Sequence, residues 1–229
     1  FFVAGPIQVL NYSYFAADFP ETFRTAVEIR EMIAKNGWNK VVAFQTRNPM
    51  HRSHEYLAKI AVEVTDGVYI HQVLGKLKPG DIPAETRTKA IQAMIDNYFV
   101  AGTVIQAGYP IEMRYAGPRE ALFHALIRPN YGCSHLIVGR DQAGPGVDSK
   151  GEPFYGPYDA QELVRQHSEE LGVGLAPFHE LVYLADEERY EEASKVPQGT
   201  ATLSISGTKV REEYLEAGNL LPDWFTRPE

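Results

Sequence analysis

Between Glu21 and Lys35 apolar side chains recur at helical spacing, Phe23, Val27, Ile29 and Ile33, and the run closes on Asn36-Gly37, a good helix stop. Lys40 to Phe44 is then short, apolar and strand-like. The alternation repeats: His51 to Val64 carries Leu57, Ile60, Ala61 and Val64 at helical spacing, and Val68 to Leu74 reads as the next strand. Ala84 to Tyr98 is a further helix leading into a strand at Thr103 to Ala107, and Pro118 to Ile127 and Leu136 to Gly139 supply another helix and strand. Parallel neighbours need a crossover, and helices are the usual ones. The order therefore predicts an α/β fold, a doubly wound, mostly parallel sheet with helices on both faces.

Two long loops interrupt the pattern. Gly75 to Pro83 sets Lys76 and Lys78 among Gly and Pro, and Gly144 to Pro157 is rich in both; each has the length and composition of a mobile lid. After Leu171 the pattern changes to short strand-like pieces (Leu175 to Phe178, Leu181 to Leu184), an acidic stretch from Asp186 to Glu192 and a last helix near Lys209 to Glu216. This divides the chain into a linker or tail over residues 1–18, a main domain over 19–171 and a small C-terminal subdomain over 172–229.

Composition narrows the functions available. A chain of 229 residues, 44% of them hydrophobic, is long enough for one large domain with a substantial core. Its net charge of -8 argues against a general binder of nucleic acid or membrane surfaces, so an anionic ligand must be met by a local concentration of basic groups. The single cysteine, Cys133, excludes an internal disulfide and a Cys-rich zinc site, is expected to pack in the core, and fits a reducing compartment such as the cytoplasm. No run of about 18 apolar residues and no basic-then-apolar leader appears, which predicts a soluble protein. The first residue is Phe1 and not Met, as expected of a trimmed fragment.

Three segments carry chemistry. Gln45-Thr46-Arg47-Asn48-Pro49-Met50-His51-Arg52-Ser53-His54-Glu55 follows a buried strand and runs into a helix, which places it at the carboxyl edge of the sheet. His51 and His54 lie three apart at a helix N-terminus whose free N–H groups add partial positive charge. Two imidazoles, the Arg47 guanidinium and a helix N-terminus suit nucleotide phosphates, whose charge grows on the leaving oxygens as a P–O bond breaks. A helix cap with two surface histidines is the plainer alternative. Leu136-Ile137-Val138-Gly139-Arg140-Asp141-Gln142-Ala143-Gly144 is again an apolar strand ending in a charged turn, which alone would be an ordinary strand exit. If the strands follow the order 3-2-1-4-5, however, it lies beside the Lys40 strand, and the crevice beyond their carboxyl ends is the expected ligand site. Ser206-Gly207-Thr208-Lys209-Val210-Arg211, a small-residue turn opening the last helix, either holds an anion or simply starts a helix. Arg114 and Arg119 flank Ala116-Gly117-Pro118 and suit either a phosphate or a structural ion pair; His124, on a largely apolar helix, reads as a buried structural residue.

The ordered signatures QTRNPMHRSHE, MRYAGPREALFHALIRPNYGC, LIVGRDQAG and ISGTKVR resemble those of ATP sulfurylases, and the resemblance runs from about Gly5 to Arg227. It implies a Rossmann-like nucleotidylyltransferase domain in which sulfate attacks the α-phosphorus of ATP in line, giving adenylylsulfate and pyrophosphate reversibly. Gly5 to Leu10 resembles the end of the family's PUA-like N-terminal unit, which the sequence then lacks. By the same resemblance Gln45, Arg47 and the backbone at Ala143 would hold sulfate. Thr46, Arg47 and Asn48 would form the core touching the nucleotide, with Gln45 beside them; His51, His54 and Arg140 would stabilise the transition state; and Gly139, Arg140, Asp141, Gln142 and Val182 would line the nucleotide. Mg²⁺ would arrive with ATP, no protein metal ligands or structural zinc are implied, and relatives commonly form homo-oligomers. The family commonly has His where Gln142 stands; an amide can donate and accept hydrogen bonds but cannot become a cation. No GxxxxGK[ST] segment is present, so the adenylylsulfate kinase fused to some relatives is not expected. Rival readings are a zinc hydrolase using His51, His54 and Glu55, whose order does not match known zinc motifs, and a nucleotide-binding module without activity.

Overall fold

The computed structural model describes residues 5, 6, 8, 13–75 and 81–229. The end of the expected PUA-like unit therefore lies largely outside the described residues, as do Lys76 and Lys78 of the first expected lid. Helix α1 (Phe15–Asp18) is a single turn, and α2 (Ala26–Lys35) is the first full helix. It starts five residues later than the apolar pattern predicts because Thr25 closes a capping box: its hydroxyl accepts from Glu28 N, and the Glu28 carboxylate accepts from Thr25 N. Phe23, counted as helical, instead forms a bridge to Gly108.

Strand β1 (Val41–Thr46), α3 (Arg52–Val64), β2 (Gly67–Val73), α4 (Ala84–Tyr98), β3 (Val104–Tyr109), α5 (Pro118–Ile127) and β4 (His135–Val138) follow in the expected alternation. Then α6 (Asp159–Leu171) leads to β5 (Gly174–Pro177). The five strands form one parallel sheet in the order β3-β2-β1-β4-β5, which puts β1 beside β4 as the doubly wound pattern requires. Alternation along each strand sorts the core into two faces. Val41, Ala43 and Tyr69 pack with Ile29 of α2, Ala121 and Ala125 of α5 and Val164 of α6. Val42, Phe44, Val68 and Ile70 pack with Ala58 and Ala61 of α3 and Ile91 and Met94 of α4.

The division expected at residue 172 falls ahead of β5, which pairs with β4 through His135–Gly174 to Val138–Pro177, so residues 174–177 belong to the large sheet. A smaller antiparallel sheet follows, β6 (Leu181–Leu184), β7 (Arg189–Glu192) and β8 (Thr202–Leu203), in the order β7-β6-β8. The acidic stretch is thus one arm of a hairpin. The last expected helix is a turn of α7 (Gly207–Lys209) continuing as a π-helical turn over Val210–Leu215. Residues 223–227 then return to α3, where Phe225 O accepts from Arg52 N at 2.9 Å and Arg227 pairs with Glu55.

Candidate active site

β1 runs two residues further than its apolar stretch, so Gln45 and Thr46 leave the sheet in extended conformation with opposite facing. Thr46 is buried, and its hydroxyl accepts from Asn48 N at 3.0 Å and donates to Asn48 O at 2.9 Å, a local turn that fixes the direction of Arg47 and Asn48. Arg47 reaches Asp81, with Nη1 2.9 Å from both carboxylate oxygens, and lies 5.5 Å over the Tyr115 ring. Asp81 stands just after the lysine-bearing loop, and its side chain is only 5% exposed. The neighbouring Arg87 is fully buried and donates to Ile82 O and Val73 O, which fastens the loop's end to β2.

The opposite wall is the turn after β4. Asp141 and Ala143 both adopt left-handed backbone, φ 48 and 56. For alanine that conformation costs roughly 1–2 kcal/mol, which the surrounding hydrogen bonds must hold in place. Asp141 N donates to Pro157 O, Gly144 N to Asp141 O, and Gly117 N to Ala143 O. A Cβ at Gly144 would come 1.9 Å from Asp141 Oδ1, so that exposed carboxylate would have to swing aside, and at Gly117, whose φ is 60, a Cβ would be strained and would meet the Tyr155 ring at 2.6 Å. From beneath, the buried Gln161 amide donates to Val138 O and Phe178 O, tying β4 to the chain leaving β5. Arg140 is exposed and 3.5 Å from Glu180, an open pair that a bound anion can displace at small cost.

Between these walls lies a cleft of ≈ 360 Å³. Gln45, Thr46, Arg47, Asn48, His54, Gly139, Arg140, Asp141, Gln142 and Ala143, which belong to segments about ninety residues apart, all line it, over an apolar floor that includes Phe44 and Ile137. Two of the expected residues stand apart. Val182 does not line the cleft, whereas its neighbour Leu181 does. The His51 ring turns away to stack on Phe225, 4.6 Å between centroids at 23°, with Nδ1 2.9 Å from Ser53 Oγ. His51 and His54 rings are 3.8 Å apart. Burial lowers the His54 pKa to about 4, and burial together with the neighbouring His54 holds His51 well below the usual imidazole range. Without ligand both rings are neutral at pH 7, so they meet an anion as hydrogen-bonding groups whose protonation an added negative charge would favour.

Among the described residues the third segment does not reach the cleft: Ser206 caps its own short helix by accepting from Lys209 N. Arg114 and Arg119 line a separate, more open hollow with Phe15 and Phe123, and His124 is fully buried 3.5 Å from Glu120. Cys133 is buried, as expected. The zinc reading loses its carboxylate: Glu55 is buried and held by Arg227 through two hydrogen bonds of 2.8 Å, with Lys59 on the same group. The sequence alone assigns no role to Asp81, Tyr115, Met113 or Arg128. The one signal was His71-Gln72 inside the otherwise apolar Val68–Leu74 run, a polar pair that needs partners wherever it is buried.

A parallel sheet with cationic and amide-rich turns meeting beyond the carboxyl ends of its two central strands defines a nucleotide-binding α/β protein. Residues 20–229 match the family model described as ATP-sulfurylase, and the chain belongs to that family. It is 50% identical over 229 residues to the sulfate adenylyltransferase of Chlorobaculum tepidum, covering 99% of this chain and 55% of that protein. To that of Thiobacillus denitrificans it is 49% identical over 243 residues, with the same coverage of 99% and 55%. The chain thus spans about half the length of the curated relatives it matches. Among solved structures, one described as a hexameric APS kinase from Thiobacillus denitrificans superposes with a TM-score of 0.68 and 26% identity, over 93% of this chain and 39% of that one. No helix among the described residues is long and apolar enough to cross a membrane.

Proposed function

We propose that this chain carries the catalytic site of a sulfate adenylyltransferase, with ATP and sulfate giving adenylylsulfate and pyrophosphate. The observation that carries this reading is the convergence of Gln45 to Asn48 with Gly139 to Ala143 on one cleft at the β1–β4 switch point, in a chain of the ATP-sulfurylase family. A sulfate oxygen bonds to the α-phosphorus as the bond from that phosphorus to the bridging oxygen breaks, and the electron pair leaves with pyrophosphate. Gln45, Arg47 and the Ala143 N–H hold the sulfate; Thr46 sets the turn that aims Arg47 and Asn48 at the α-phosphate; His54 and Arg140 take up charge on the phosphoryl oxygens. His51 supports His54 through ring contact, and Gly139, Asp141, Gln142 and the Leu181–Val182 edge flank the nucleotide. With no covalent enzyme intermediate, orientation and charge neutralisation supply the rate.

Mg²⁺ enters with ATP. In this reading the ion is carried by the phosphate oxygens and water and needs no cage of protein ligands. Association of several copies and a cytoplasmic location belong to the same reading, as does the division into a catalytic unit and a small C-terminal unit, with the boundary after β5. Pyrophosphate release measured with ATP, Mg²⁺ and sulfate against a sulfate-free control tests the proposal; release no greater than the control from folded protein refutes it.

A further inference from the structure

Directly behind the cleft, Arg128 is fully buried at the C-terminal end of α5. Its Nη1 donates to His71 Nδ1 at 2.8 Å, its Nη2 donates to Gln45 Oε1, and its guanidinium carbon lies 4.3 Å over the Tyr109 ring. Among the described residues its Nε has no hydrogen-bond partner. These neighbours are together because the sheet places them so: Gln45 is registered with His71, His71 with Ala107, and odd-numbered positions of β1, β2 and β3 face the side on which α5 packs. Among the described residues no carboxylate lies within 4.0 Å of the guanidinium in an ion pair. Glu120, on the helix that precedes it, instead accepts from the N–H groups of Arg114 at 2.8 Å and Ala116 at 2.9 Å.

Although burial raises it, these hydrogen bonds and His124 hold Glu120 below the usual carboxylate range, so it is charged but makes no ion pair with Arg128; the remaining described titratable groups around Arg128 supply no negative charge. Burial pushes the Tyr109 phenol and the Cys133 thiol up to about 12 and raises Tyr69 and Tyr131 as well, while it lowers His71 and His124. All are neutral near pH 7. A buried cation is costly unless it is paired, and a bound anion would supply the missing negative charge. Arg47 already has Asp81 and Arg140 has Glu180, whereas among the described residues the acceptors of Arg128 are neutral. The cleft-lining side chain it touches is Gln45.

We propose that Arg128 is a positioning residue whose uncompensated charge, delivered through Gln45, selects a tetrahedral dianion at the Gln45 end of the cleft. This rests on the sulfate adenylyltransferase reading for the identity of that anion as sulfate. Holding Gln45 Oε1 turns its amide nitrogen outward, where it lies 3.7 Å from Met113 Sδ and is available to an oxyanion. The dipole of that amide and the charge behind it then act in the same direction.

The test separates charge from shape. Sulfate and perchlorate are both tetrahedral, with two charges and one, and a Coulombic loss scales with ligand charge. Binding is read from the rise in thermal midpoint with each anion at ionic strength balanced by chloride, and the KM for sulfate is read alongside. Arg128→Gln is expected to weaken sulfate at least about tenfold and perchlorate only about threefold, and Arg128→Lys to stay within about threefold of wild type for sulfate. Equal losses for the two anions, no loss for either, or Arg128→Lys as weak as Arg128→Gln would overturn the proposal. If Arg128→Gln does not fold, Arg128→Lys alone decides, since a loss beyond threefold refutes a role for the charge. If wild type releases no pyrophosphate, the reaction assignment fails, but the anion-binding comparison still stands or falls independently.

Discussion

Replacing Arg227 with Met probes the contact that holds the segment after Trp224 against the start of α3. Glu55 is 3% exposed and accepts two 2.8 Å hydrogen bonds from Arg227 and one of 2.5 Å from Lys59. Removing one partner from a fully buried ion pair costs about 3–5 kcal/mol. Here Lys59 remains and the Arg227 side chain is 28% exposed, so the expected loss is about 1–3 kcal/mol. A second route limits it: the segment can detach and let water reach Glu55, forfeiting the burial of Phe225, worth about 1.5–3 kcal/mol. Whichever route is cheaper sets the measured value. Although burial raises the Glu55 pKa, the hydrogen bonds from Arg227 and Lys59 outweigh it and the net shift is downward. The pair's contribution is therefore present above the ordinary carboxylate value and lost as pH falls through the lower folded value, so the difference between wild type and variant shrinks in acid. Urea denaturation at pH 7.5 and at pH 4, analysed at constant m, reads both. A loss under about 0.5 kcal/mol at pH 7.5 would refute the reasoning. Detachment also removes the ring stacked on His51, so chymotryptic cleavage after Phe225 should accelerate in the same variant.

Replacing Arg47 or Arg140 with Ala is expected to cut turnover at least about a hundredfold, the scale of a removed transition-state donor; near-normal pyrophosphate release would count against the assigned roles. Because the His54 pKa is about 4 in the folded chain against 6.5 unfolded, its penalty is absent above pH 6.5 and grows as pH falls toward 4. His54→Gln should recover about 2 kcal/mol of the stability that wild type loses between pH 8 and pH 5, measured by urea melts at both. Gly144→Ala forces the exposed Asp141 carboxylate aside, so the KM for ATP should rise several-fold while stability changes by less than about 1 kcal/mol. Gln142→His, which installs the residue common in the family, should retain both ATP binding and turnover.

Elements with a long apolar period were legible at the level of the chain. The strand–helix alternation predicts the parallel sheet, and the doubly wound order puts β1 beside β4 without reference to any side chain. Boundaries slipped where a polar cap outweighed the apolar period, as at Thr25, and where a short strand continued into polar residues, as at Gln45 and Thr46. α6 had no predicted counterpart. Composition changes at residue 172 and so sets residues 174–177 with the small unit, but hydrogen bonding does not follow it: β5 is an edge strand of the large sheet.

By itself the sequence determines which residue types leave the central strands and that two such exits share a crevice, because local periodicity and strand order need only neighbours along the chain. Only the tertiary structure decides their partners. It gives Arg47 the carboxylate of Asp81, turns His51 onto Phe225 some 174 positions later in the numbering, keeps the Ser206 turn away from the cleft, and leaves Arg128 behind Gln45 with no ion-paired carboxylate among the described residues. Those pairings depend on packing between faces of the sheet, where contact is set by register and burial and not by separation in sequence.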